Sequence, residues 1–248
     1  MFDTRVTRNQ FGMTNQRETS LLSDLPVLTR GTLHEYPQDF DQFVPNDWTT
    51  LGTGSVALVA GFRGSLAITT AATIGGVSGV QKAPAGWTIA NGLRNWLAFI
   101  SNLDSNLGST IFGLVNATTT PFTGGSITDG AWVTTVAGVS TLNVAAGGVV
   151  TSQAFPGVLT ANKFATLQMY WDGGLYGVSP GRFIAEMSGD ADPTPSRVEA
   201  VLPAGFPSAA NLSPILAVQA TTAAARTLGV DLLYSAQDRL PPFATPAF

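Results

Sequence analysis

Carboxylates are the side chains best placed to do chemistry in this chain, because the other reactive types are scarce. It has one histidine, His34, and no cysteine. A zinc constellation cannot be built from one imidazole and no thiolate. A serine–histidine–aspartate triad would need His34, and nothing near it suggests a nucleophile elbow. Two acidic pairs are spaced to cooperate: Asp190 and Asp192 in Ser-Gly-Asp-Ala-Asp-Pro-Thr-Pro, and Asp39 and Asp41 between Tyr36-Pro and Phe43. Either pair could offer oxygen to calcium, but one D-x-D supplies too few ligands alone. The competing reading is an Asx turn whose carboxylates cap backbone N–H groups for Asp190 and Asp192, and a solvated turn for Asp39 and Asp41. No cofactor is expected.

Retaining glycosidases need two carboxylates about 5–5.5 Å apart. On a strand, residues i and i+2 share a face. Gly181–Met187 reads as a strand and offers one acid, Glu186, whose same-face neighbours Arg182 and Ile184 are not acids. Gly75-Gly76 and Gly147-Gly148 lack phosphate-loop spacing and read as turns. Of the tryptophans, Trp96, Trp132 and Trp171 fall in strand patterns and read as core or core edge. Trp87, in Pro84-Ala-Gly-Trp-Thr, reads as an exposed loop residue and is the candidate glycan contact.

The elements that must position these groups read as strands. Val56 to Phe62 and Gly64 to Thr70 form a hairpin pattern, and Val77 to Gln81 is a short strand. Asn95–Ser101 and Ser109–Val115 are apolar on both faces, as the centre of a two-layer stack requires. Ala131–Val136, Thr141–Ala145, Gly147–Thr151, Lys163–Asp172, Gly181–Met187, Arg197–Leu202 and Pro214–Gln219 follow. In the last strand, Arg226 to Arg239, strict alternation puts Leu228, Val230, Leu232 and Tyr234 on one buried face. About a dozen strands at 8–12-residue spacing predict a large antiparallel sandwich. Only 91–98 and 219–226 offer a turn or two of helix.

Composition narrows the partners. Of 248 residues, 11% are charged, less than half the roughly 25% of typical domains. Net charge is −4 and no Lys/Arg cluster exists, so a nucleic-acid partner is not expected. Mean hydropathy is +0.21, yet no stretch reaches the ~18 apolar residues of a membrane helix. A surface this poor in charge is weakly protected by repulsion and suits a molecule packed against neighbours.

The ends differ from the middle. Residues 1–47 hold eleven charged residues and 48–160 hold five. Residues 1–47 read as an extended arm leading into the domain, whose prolines forbid regular pairing; His34 reads as an arm residue. Phe11, Leu21, Leu22 and Leu25 are its candidate docking contacts. Residues 48–239 read as the sandwich, and 240–248 as an extended, proline-stiffened tail with Phe243 and Phe248 as anchors.

The second half carries an order of features with a family likeness: Asp129-Gly-Ala-Trp132, Lys163-Phe-Ala-Thr-Leu-Gln-Met-Tyr-Trp-Asp-Gly173, Gly181-Arg-Phe-Ile-Ala-Glu-Met187, and Ala224-Ala-Arg-Thr-Leu-Gly-Val-Asp231. Over roughly 48–239 the chain resembles the concanavalin A-like jelly-roll structural proteins of tailed-phage virions, of the capsid decoration or cement type. The resemblance implies an all-β, two-sheet antiparallel jelly roll and a non-enzymatic subunit on the capsid surface. It also implies homo-oligomers, with the major capsid protein and neighbouring virion subunits as partners. The alternatives within this superfamily are a carbohydrate-binding attachment module and a glycosidase or lyase.

Overall fold

The structure is a computed structural model and describes residues 33–59, 64–158, 160–173, 181–189 and 194–238. The candidate docking residues Phe11, Leu21, Leu22, Leu25, Phe243 and Phe248 and the acidic pair Asp190 and Asp192 lie outside the described residues. Among the described residues the one helical element is a short 3-10 turn at Pro45–Asp47; 91–98 and 219–226 hold none.

Among the described residues fifteen strands form two antiparallel sheets. In chain order β1 is Leu33–Gln38, β2 Trp48–Gly52, β3 Ser55–Val59, β4 Ser65–Thr69 and β5 Val77–Lys82. Then come β6 Asn95–Leu103, β7 Gly108–Val115, β8 Gly130–Val136, β9 Val139–Ala146 and β10 Val149–Val158. The last five are β11 Phe164–Trp171, β12 Phe183–Gly189, β13 Ser196–Glu199, β14 Ser213–Ala220 and β15 Thr227–Asp238. One sheet has eight strands in the order β13-β12-β11-β6-β15-β4-β3, with β1 also pairing β15. The other has seven, β10-β9-β8-β7-β14-β5-β2.

The expected sandwich and its strands are present, and the main core lies between the sheets. One sheet contributes Leu97 and Phe99 of β6, Leu167 and Met169 of β11, and Leu228 of β15; the other contributes Phe112, Val133, Leu142 and Leu216. The Phe99 and Phe112 rings, 5.5 Å apart, join the layers directly. Each such side chain contributes about 1.5–3 kcal/mol by leaving water. β7 is buried along its whole length, which explains why its sequence shows no alternation.

Turn chemistry fixes the β8–β9–β10 register. Gly147 and Gly148 both take positive φ, 55° and 83°, between the paired residues Ala146 and Val149. That is the two-residue turn whose twist suits a hairpin. Gly113 serves a different need. A Cβ there would collide with the Cβ of Trp132 on β8, so glycine lets the indole lie close against β7.

Three expectations are corrected. First, Leu33–Gln38 is not free arm: it pairs with β15 from Leu33↔Asp238 to Gln38↔Leu233. Among the described residues β1 has a partner on one side only, the edge position at which proline is tolerated. Residues 33–38, read as part of the arm, therefore belong to the sandwich, and His34 is a strand residue. Second, β15 does not alternate strictly. Val230 faces Ser101 and Leu232 faces Ile100, so the register shifts at Asp231. Leu228, Val230 and Leu233 enter the main core, while Tyr234 and Ala236 join Trp96 and Ala98 on the opposite face. A bulge adds one residue and inverts the side-chain phase beyond it. Third, Trp87 is only 2% exposed.

Candidate interaction surfaces

The outward face of the eight-stranded sheet holds the acid singled out from sequence. Successive registers place Arg197, Glu186, Gln168, Ala98, Tyr234 and Pro37 in one row across six strands. Glu186 is 4% exposed. Burial pushes its carboxyl above the ordinary range, and the Arg197 guanidinium only partly opposes that shift. The residue opposite it on β11 is an amide, Gln168. Glu199 is the next acid on this face, one diagonal away and opposite Ile184. Its charge acts on Arg182, which also bonds Asp172 through Nε at 3.0 Å. Beside this row Trp96 and Tyr170 lie ring to ring at 5.4 Å. The Arg94 guanidinium sits 5.2 Å from the Trp96 ring and bonds Asp238 through Nε at 2.8 Å and Nη2 at 3.2 Å. That fork ties the end of β15 to the start of β6.

The outward face of the seven-stranded sheet has a different character. Ser152, Asn143 and Trp132 are cross-strand neighbours. The Ser152 hydroxyl donates to Asn143 Oδ1 at 2.7 Å, and Asn143 Nδ2 donates to Thr134 Oγ1 at 3.1 Å. Trp132 packs with Ile111, Val115, Ile127 and Ile215, so its ring is part of a second apolar layer. The loop over this layer is tied down by amides. Gln81 Nε2 donates to the Asn116 carbonyl at 3.0 Å, and Gln81 Oε1 accepts from Thr118 N–H at 3.0 Å. Asn116 Oδ1 accepts from the N–H groups of Thr128 and Asp129 at 2.9 and 3.0 Å. Asp129 in turn accepts from Gly147 N–H and the Thr128 hydroxyl. Burial opposes its charge, but these bonds and one from Ser208 outweigh it and hold the carboxyl below its usual range.

From Gly130 through Asn162 the sequence contains no Asp, Glu, Lys or Arg. The topology turns that run into area: β8, β9 and β10 are neighbours at one side of the sheet. Val136 and Val139 stand exposed beside one turn, and Val149 and Val150 beside the other. Val201 adds to the second group, and its carbonyl accepts from the Thr151 hydroxyl. This strip was missed as a site. Its signal was the charge-free run itself, which shows no surface until the three strands are laid side by side.

The other sequence candidates fall as follows. Trp87 bridges to Leu212, with Leu212 N–H donating to its carbonyl at 2.8 Å. Its ring is 5.2 Å from His34 and 6.1 Å from Tyr36, so it offers no open face to a sugar. Burial comes first and the Asp47 charge second in pushing the Tyr36 phenol up to about 12. The Asp41 N–H points to Asp39 Oδ1 at 3.3 Å, the Asx-turn arrangement. Trp96, Trp132 and Trp171 are buried, as read from sequence. Among the described residues no three His, Cys, Asp or Glu side chains gather to hold a metal, and no helix is long and apolar enough to cross a membrane.

No protein-family model matches the chain, and neither does any characterised sequence with which it was compared. Solved structures do match. Arcelin-5, a lectin-like defense protein from Phaseolus vulgaris, superposes with a TM-score of 0.59 at 11% identity, over 85% of this chain and 100% of that one. A protein of unknown function from Shewanella oneidensis MR-1 gives 0.57 at 14%, over 85% and 90%. An endo-1,3-beta-glucanase from Streptomyces sioyaensis gives 0.54 at 16%, over 86% and 98%. The fold is therefore the concanavalin A-like two-sheet jelly roll of lectins and related proteins.

Proposed function

We propose that this chain is a non-enzymatic virion structural subunit that decorates a capsid shell. The observation that carries the reading is the charge-free strip of β8, β9 and β10, with valines exposed at both of its ends. Exposed apolar area without rimming charge favours a broad protein contact. The strip also gives no electrostatic handle for a charged ligand. The sequence likeness to virion jelly-roll proteins supports the same reading. So does the surrounding of Glu186, whose cross-strand neighbours are an amide and a guanidinium. The test is co-sedimentation of the chain with preassembled capsid shells. Val149→Lys with Val150→Lys should keep the β-sheet circular dichroism and lower shell occupancy at least about tenfold. Full occupancy by that variant would refute the proposal.

A second reading, binding of a neutral glycan, is favoured by the lectins among the structural neighbours. The uncharged row Thr134–Asn143–Ser152 also has donors and acceptors of the kind sugar hydroxyls use. A glycan array settles it: signal abolished by Asn143→Ala supports this reading, and a blank array with folded protein excludes it for the sugars displayed.

A further inference from the structure

The outermost strands of the two sheets are not alike. β13 is four residues long and carries Arg197 and Glu199. β1 contains Pro37. β10 contains Pro156 and a register irregularity between Phe155 and Val158. β2 shows Thr49 and Thr50 to solvent. Each device, whether charge, proline, bulge or polar cover, discourages pairing with another chain. β3, Ser-Val-Ala-Leu-Val, has none of them: no charge, no proline, and a regular register against β4 from Ser55↔Thr69 to Val59↔Ser65.

Its side chains are also unfinished. Val56 and Leu58 lie opposite Ile68 and Leu66, which belong to the main core. These two therefore point toward the space between the sheets, yet Leu58 is 42% exposed. Among the described residues no strand lies beyond β3 on this side, and another strand laid on it would close the sandwich. On the other face Ala57 and Val59 are exposed as well.

We propose that β3 pairs with β3 of a second copy of this chain, antiparallel about a twofold axis at Ala57. In that register Leu58 of each copy lies opposite Val56 of the other, and Ser55 lies opposite Val59. The apolar pair that one copy leaves open is covered by the identical pair of its mate, as an isologous contact requires. The smallest side chain stands at the axis, where two identical residues approach most closely. No like charges meet, because the five residues carry none. The two eight-stranded sheets become one continuous sheet. The inference stands apart from the shell reading, since β3 belongs to the other sheet from the charge-free strip.

The test is sedimentation velocity on the full chain over roughly 1–100 μM, the range in which micromolar association shows. The wild type should shift from monomer to dimer. Ala57→Lys and Ala57→Glu, each checked for an unchanged circular dichroism spectrum and melting curve, should each associate at least about tenfold more weakly, because like charges face each other across the axis. An equimolar mixture of the two should dimerise again, because Lys then faces Glu. A wild type that stays monomeric, a Lys variant that dimerises undiminished, or a mixture that stays monomeric would each overturn the proposal.

Discussion

Val230 and Leu232 are two positions apart in β15, yet they point to opposite faces of the eight-stranded sheet. Their partners on β6, Ser101 and Ile100, are adjacent residues, and adjacent residues on a regular strand face opposite ways. Asp231 is the extra residue. The inversion it causes returns Leu233 to the main core and sends Tyr234 outward to Trp96 and Ala98. It falls where β15 changes neighbours on its other side, from β4, which pairs through Val230, to β1, which pairs from Leu233 onward.

The bulge predicts unequal leucines. Leu233 is fully buried in the main core, whereas Leu232 retains 8% exposure and belongs to the outward face. Leu233→Ala should destabilise by about 2–5 kcal/mol, the usual range for a filled core site. Leu232→Ala should lose clearly less. Urea unfolding of the two variants, with unchanged slopes, checks the order; equal losses or the reverse order would restore strict alternation.

That bulge also marks a limit of what the chain discloses before folding. β6 and β7 were legible as doubly apolar runs because both of their faces are covered, which only the centre of a stack achieves. β1 was illegible because Pro37 argues against a strand unless one knows that its neighbour lies on one side alone. Trp87 was misplaced for a related reason: Pro84 and Gly86 do mark a loop, but that loop is pulled inward by its bridge to Leu212. A local pattern reports local conformation, while exposure depends on what returns from far along the chain. The charge-free strip is the same case, one linear run that becomes a surface through the order β10-β9-β8.

The β8–β9 turn holds a residue poorly suited to its conformation. Ala137 has φ 50° and Gly138 φ 80°, between the paired residues Val136 and Val139. A two-residue turn with both φ positive favours Asn-Gly over Ala-Gly. Ala137→Asn should raise stability by about 1 kcal/mol, the size of the penalty for alanine in the left-handed region. Thermal unfolding measures it, and a lower midpoint would contradict the turn assignment.

Glu186 predicts a pH effect of defined sign. Burial raises its carboxyl in the folded state, against the weaker pull of Arg197. A group raised on folding contributes stability that is complete below its unfolded pKa and is lost as pH rises through the folded value. Glu186→Gln, which cannot ionise, should therefore melt higher than wild type near pH 7 and equal to it near about pH 3. A variant less stable at neutral pH would mean that the attraction of the Arg197 charge outweighs burial.

Asp129 predicts the opposite slope. Its carboxyl is desolvated, yet the Gly147 N–H and the hydroxyls of Ser208 and Thr128 hold it below the ordinary value of 3.8. A group lowered on folding contributes stability that is present above its unfolded pKa and is lost as pH falls through the folded one. Asp129→Ala removes the acceptor of Gly147 N–H and unties the loop from the β9–β10 turn, a loss of about 1–3 kcal/mol at neutral pH. The gap to wild type should narrow as pH drops below 3.8, because the protonated carboxyl no longer attracts those donors. Paired melts across that range test it. A gap that stays constant with pH would show that the ionised form of Asp129 adds nothing to the turn it holds.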